Sequence, residues 1–131
     1  MMKNLFQILC GLFLVVSYSS CMHSEEDKVD VLIIGGGASG VTSGIQSARM
    51  GANTLILEES TWLGGMLTSA GVSAVDGNYR LPAGLWGEFK KRLSDYYGGL
   101  DSLKTGWVSN VLFEPSVGNK ILHEMVAAEN N

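Results

Sequence analysis

Val29-Asp30-Val31-Leu32-Ile33-Ile34-Gly35-Gly36-Gly37-Ala38-Ser39-Gly40 is the stretch on which the fold turns. Its first half is a β-branched, nearly continuous apolar run, the pattern of a parallel strand covered on both faces. Its second half changes abruptly to glycine, which lets backbone turn sharply or approach another group closely. Beyond it, Val41 to Met50 places Val41, Ile45, Ala48 and Met50 on one helical face. Gly51 supplies a left-handed stop. Asn53-Thr54-Leu55-Ile56-Leu57 then reads as a second short strand, ending at Glu58 and Glu59. Strand, glycine turn, helix and strand make a βαβ unit, so the expected class is α/β with a parallel sheet.

Gly35-x-Gly37-x-x-Gly40 is a weak signal in a chain with 17 glycines, but its context strengthens it. A Rossmann-like dinucleotide site needs a strand, a tight turn, and a helix whose first amides point unsatisfied at an anion. Gly35 permits the turn, Gly37 has no side chain to block a pyrophosphate, and Gly40 lets the helix pack closely on the strand. Gly36, Ala38 and Ser39 complete the loop. An acid should follow at the end of the second strand, about twenty residues on, to accept hydrogen bonds from ribose hydroxyls. Glu58 lies 23 residues after Gly35. With no Arg or Lys beside it, a 2′-phosphate is disfavoured. Glu59 reads as a solvated neighbour. The bland alternative is a glycine turn that merely joins strand to helix in some other α/β protein.

Composition bounds the rest. The chain has 131 residues, nine Lys+Arg and thirteen Asp+Glu, for a formal charge of −4. Nucleic-acid-binding domains carry a basic footprint, so no nucleic-acid partner is expected. With 46% hydrophobic and 17% charged residues, the chain is too apolar for a disordered one. The length suits one domain.

The N-terminus reads as an address. Lys3 precedes an apolar run from Leu5 to Val16, twelve residues against the roughly twenty that span a bilayer. A charged start, a short apolar centre and the small-residue exit Ser17-Tyr18-Ser19-Ser20-Cys21 make residues 1–20 a signal peptide. Small residues before a Cys resemble the lipobox of bacterial lipoproteins, with Tyr18 standing where that family has Leu. The resemblance implies that Cys21 carries a lipid anchor in the cell envelope, with plain secretion or an uncleaved anchor as alternatives. Residues 21–28 form an acidic tether, in which Glu25-Glu26-Asp27 reads as solvated rather than as a cation site or export signal. At most one Cys remains after cleavage, leaving no intrachain disulfide and no Cys-rich metal site.

After the second strand the chain meets another glycine pair, in Trp62-Leu63-Gly64-Gly65-Met66. Backbone without side chains so near the first loop suggests that a long ligand runs past it, and an extended dinucleotide such as FAD is the natural candidate. Gly84-Leu85-Trp86-Gly87-Glu88-Phe89 and Phe113-Glu114-Pro115-Ser116 follow further on. Together with Gly35 to Gly40 and Leu57-Glu58-Glu59, these segments resemble the FAD-dependent oxidoreductase family over residues 29–131, which cover the N-terminal part of its FAD-binding domain. The resemblance implies FAD as cofactor, with Gly35 to Gly40 at the pyrophosphate, Glu58 at the adenosine ribose, and Gly64, Gly65 and Met66 towards the flavin. Met66 reads equally well as a core residue, and Trp62 as a packing anchor.

Leu81 to Tyr97 reads as an amphipathic helix with Leu85, Phe89, Leu93 and Tyr97 inward. Glu88, Lys90-Lys91-Arg92 and Asp95 lie on the solvated side, and Gly98-Gly99 ends it. Phosphate binding by the basic triplet is the lesser alternative to solvation. Pro115 opens a final helix that buries Val117, Ile121, Leu122, Met125 and Val126, with His123 and Glu124 facing water. Neither His23 nor His123 earns a ligand or base role, and no catalytic residue can be named. The expected function is the FAD-binding segment of an exported oxidoreductase acting on a small molecule, a fragment not competent by itself and completed by a missing C-terminal portion or a separate chain. A vestigial dinucleotide-binding lipoprotein domain, an NAD-binding dehydrogenase fragment and a surface interaction protein are the rivals. Without a twin-Arg signal, export implies that FAD is acquired outside the cytoplasm.

Overall fold

The computed structural model describes residues 28–130. The signal peptide, Cys21 and all but the last residue of the tether lie outside the described residues. The elements are strand β1 (Val31–Ile34), helix α1 (Ala38–Arg49), strand β2 (Thr54–Leu57), helix α2 (Gly84–Tyr97) and helix α3 (Pro115–Ala127), with 3-10 turns at Gly65–Leu67 and Leu100–Leu103. The α/β class and the parallel pairing agree with the sequence reading. β1 and β2 pair from Val31 opposite Thr54 to Ile34 opposite Leu57. Asn53 fixes the start of this register: its amide donates to Asp30 Oδ2 at 2.9 Å and its side-chain amide to the Lys28 carbonyl at 2.6 Å. At the other end the Gly35 amide donates to the Leu57 carbonyl at 2.7 Å, carrying the ladder into the glycine turn.

α1 lies across one face of this two-stranded sheet. A Cβ added to Gly44 would come within 2.5 Å of Ile56 Cδ1 and 3.4 Å of Ile33 Cδ1, so the missing side chain allows the close approach. Val41, Ile45 and Ala48 are buried as expected, whereas Met50 lies beyond the last helical residue and is exposed. Among the described residues only one of the two expected faces is covered. Leu32, Ile34, Leu55 and Leu57 point away from α1 and are exposed, Ile34 by 76%. Strand side chains alternate between faces, and no described element crosses the second one. A run of apolar residues states that both faces are suited to burial; it does not supply the cover.

α2 and α3 build the rest of the core. Phe89 and Leu93 from α2 pack with Val117, Ile121, Leu122 and Met125 from α3, and with Leu103, Val111 and Phe113 between them. α2 begins at Gly84, three residues later than its periodicity suggests, and ends at Gly98 in the left-handed conformation. Pro115 holds the first helical position of α3, and Tyr97 ties the two helices by accepting the Glu114 amide at 2.9 Å while donating to the Glu114 carboxylate. Val126 is only half-buried, because it lines an open apolar cleft beside β2 and α1. An unforeseen antiparallel bridge joins Ala74 to Leu112.

The outer face of α2 is less solvated than its charges suggest. Glu88 bonds Arg49 at the end of α1 at 2.9 Å and Arg92 at 3.1 Å, while Arg49 also bonds Glu129 at 2.8 Å. Burial opposes the Glu88 charge, but the two guanidinium groups outweigh it and hold the carboxyl below its ordinary range. The basic triplet is likewise engaged. Lys90 donates to the carbonyls of Tyr79 and Leu81 at 2.7 and 2.8 Å, Lys91 pairs with Asp95, and Arg92 with Glu88.

Two substitutions separate the covered core from the open sheet face. Leu93 is fully buried, so Leu93→Ala should cost about 2–5 kcal/mol in chemical denaturation. Leu32→Ser, on the uncovered face, should change stability by less than about 0.5 kcal/mol. A large loss at Leu32 in the chain of 131 residues would mean that its own residues cover the second face.

Candidate functional site

The glycine turn is shaped by what each residue would strike. Gly35 has φ +100°, a conformation that strains any residue with a Cβ. A Cβ on Gly40 would sit 2.0 Å from the Gly35 carbonyl oxygen, so only glycine lets α1 start directly over the strand end. α1 begins at Ala38, inside the motif and three residues before the apolar periodicity starts at Val41. Ala38, Ser39 and Gly40 are therefore the first turn of the helix itself. Gly37 precedes them in extended conformation, and its carbonyl accepts the Val41 amide at 2.9 Å.

The mouth of α1 is open in two respects. No side chain caps it and no acid lies in its first turn, so no residue of that turn offsets the positive end of the helix dipole. Cβ atoms built on Gly35 or Gly37 meet nothing within 4 Å, so the loop faces free space. Gly36 faces the other way. A Cβ there would lie 2.8 Å from Leu63 Cδ2 and 3.0 Å from Glu58 Cβ.

Glu58 stands at the end of β2, turned towards this loop. One carboxylate oxygen, Oε2, accepts the Gly36 amide at 2.6 Å, and Oε1 accepts the Ser60 amide at 3.1 Å. The Gly36 amide, with the Ser60 amide next, holds the carboxyl below the ordinary glutamate range. It is thus ionised at neutral pH. A carboxylate offers about four acceptor sites, and the Gly36 and Ser60 amides take one on each oxygen. Glu59 is exposed, as its reading as a solvated neighbour requires.

The second glycine segment lies directly against the first. The Gly64 amide donates to the Gly36 carbonyl at 2.8 Å, and Gly37 and Gly64 form an isolated parallel bridge. Gly64 has φ +105°, and a Cβ there would meet Leu122 Cδ1 at 2.6 Å; a Cβ on Gly65 would meet Gly37 Cα at 3.1 Å. Met66 is 68% exposed, so its reading as a core residue fails. Trp62 is half-buried, and its neighbour Leu63 enters the core cluster.

Three residues that hold this arrangement escaped the sequence reading. The Leu63 amide donates to Asn119 Oδ1 at 2.8 Å, and the buried Thr68 hydroxyl donates to the Leu63 carbonyl at 2.5 Å. One turn along α3 from Asn119, a ring nitrogen of His123 lies 3.1 Å from the Thr61 carbonyl. His123 is exposed, as expected, but it touches backbone rather than water alone. No motif marks a polar side chain on a helix as one that reaches a loop 56 residues away. Among the described residues no group of three His, Cys, Asp or Glu is placed to hold a metal, and no helix is long and apolar enough to cross a membrane.

A parallel strand pair, a glycine turn, an open helix mouth and a carboxylate at the neighbouring strand's end define a Rossmann-like dinucleotide-binding unit, present here in part. A family profile described as FAD dependent oxidoreductase matches residues 30–131. The chain belongs to the FAD dependent oxidoreductase family, and FAD is its cofactor. Comparison with curated proteins and with solved structures finds no match.

The Gly36 bond to Glu58 sets a pH dependence. Because the folded carboxyl is depressed, its contribution to stability is complete above the unfolded-chain value and is lost as pH falls through the folded value. NMR titration should place the Glu58 carboxyl below that of glutamate in an unstructured peptide, and Glu58→Gln should remove this part of the acid destabilisation. A Glu58 that titrates like the free peptide would show that the bond does not form in solution.

Proposed function

We propose that the open mouth of α1 and the Glu58 carboxylate together bind the adenine dinucleotide half of FAD. The observation that carries the reading is the carboxylate held ionised by the Gly36 amide beside a helix start that no side chain caps. The amides of Ala38, Ser39 and Gly40 would hold the diphosphate, with Gly35 and Gly37 leaving room for its approach. Glu58, with acceptor capacity to spare, would receive the ribose hydroxyls. Gly64, Gly65 and the exposed Met66 would lie along the path towards the flavin. When bound, FAD supplies a ring that accepts or returns a hydride equivalent from an organic substrate. This chain's own contribution is to bind the cofactor and orient it.

Two further parts of the reading concern the whole protein. The exposed Leu32, Ile34, Leu55 and Leu57 face supports an enzyme in which a further portion of polypeptide covers the sheet and completes the substrate site, so that residues 28–130 bind without turning over. The charged start, the apolar run and the Cys21 exit support export and lipid attachment. Fatty-acid labelling in a bacterial host should be lost with Cys21→Ala; labelling of neither protein would leave plain secretion or an uncleaved anchor.

The binding test is direct. Added FAD should lose fluorescence on titration with the purified chain, and Gly37→Val should weaken binding by at least about ten-fold, or 1.4 kcal/mol. Gly37 is extended and a Cβ there meets nothing within 4 Å, so the variant should stay folded, losing no more than the roughly 1 kcal/mol of an unfavourable cap residue in its melting transition. Quenching of Trp fluorescence by NADH with no response to FAD would favour a nicotinamide site instead.

A further inference from the structure

We infer that Asn119 on α3 is a positioning residue for the cofactor, setting the backbone that locks the second glycine segment onto the first. The inference rests on the binding site proposed above. Leu63 is the hinge of the contact. Its amide donates to Asn119 Oδ1 at 2.8 Å and its carbonyl accepts the Thr68 hydroxyl at 2.5 Å, so the residue is held at both polar groups. The following amide, of Gly64, donates to the Gly36 carbonyl at 2.8 Å. Gly36 in turn donates its own amide to Glu58 Oε2 at 2.6 Å. Three short hydrogen bonds thus connect a helix side chain with the carboxylate read as the ribose acceptor, and Thr68 braces the Leu63 link from the other side.

The geometry assigns direction to this connection. α3 is anchored by Ile121, Leu122 and Met125, all nearly inaccessible to solvent, and is therefore the fixed partner. The segment from Ser60 to Gly64 contains no helix or strand, so its position is set by what it touches. Burial of the Leu63 side chain holds the segment down but does not orient its peptide groups, because apolar packing is non-directional. The side-chain amide oxygen of Asn119 supplies the direction. His123 lies four residues later on the same helical face and meets the Thr61 carbonyl at 3.1 Å, so α3 grips the segment at two points one turn apart. Gly64 has little freedom to absorb an error. Its φ is +105°, and an added Cβ would strike both Leu122 and Thr68.

The experiment compares the full chain with Asn119→Leu, which has similar bulk and no acceptor, and Asn119→Asp, which keeps the acceptor oxygen. Asn119→Leu should weaken FAD about ten-fold, the scale of one lost hydrogen bond, and should speed amide exchange at Leu63 and Gly64 by at least as much. Asn119→Asp should restore both within about three-fold, which a purely bulk-packing role would not require. Unchanged FAD affinity and exchange in Asn119→Leu would overturn the inference, as would an Asn119→Asp chain as defective as Asn119→Leu. If Asn119→Leu does not fold, Asn119→Asp decides by itself, since affinity as low as that of Gly37→Val would also overturn it. Failure of the binding site is distinguishable: Gly37→Val would then leave FAD affinity unaltered, while exchange at Leu63 and Gly64 would still report whether Asn119 orients the segment.

Discussion

Gly36 commits both of its backbone polar groups across the fold, its amide to Glu58 and its carbonyl to the Gly64 amide. Everything at the site is arranged around those two bonds. They bring the ends of β1 and β2 and the second glycine segment to one point, and they require Gly36 to lack a side chain, since Leu63 and Glu58 already occupy that space. The bond to Glu58 is charge-assisted and short, which favours the ionised carboxyl.

Glycine therefore serves two opposite purposes within one motif. At Gly36 and Gly40 its absence of a side chain lets protein approach protein, with the Gly35 carbonyl occupying the space a Gly40 Cβ would need. At Gly35 and Gly37 the same absence leaves space open, in front of amides that no cap satisfies. A helix start without partners carries a cost in isolation. It persists because α1 is held by Val41, Ile45 and Ala48 against the core and by Arg49 at its far end, through Glu88 and Glu129.

Much of the fold was legible because its signals are local. Val31 to Ile34, the glycine spacing, the Gly51 stop and Leu55-Ile56-Leu57 specify a βαβ unit from neighbouring residues, and Pro115 marks the start of α3 to the residue. The start of α1 was not legible from apolar spacing, because its first turn consists of Ala38, Ser39 and Gly40, which bury no large side chain. The charges of α2 were misread for a related reason. Glu88 and Lys90 look solvated along their own helix, but Arg49 and the Tyr79 and Leu81 carbonyls come from segments whose positions a helical period does not contain.

Residue order by itself determined the class of the unit, the residues of both glycine segments and the acid that follows the second strand, since each depends on spacing along one stretch of chain. Tertiary structure decided which glycines face protein and which face open space, that Glu58 turns to Gly36, that Met66 is exposed, and that Asn119, Thr68 and His123 hold the loop. Those contacts depend on where α3 packs against α1, and that placement comes from burying Ile121, Leu122 and Met125 in a shared core. Burial is non-directional and summed over the whole chain, so no short segment can state which distant peptide a polar side chain on that helix will meet.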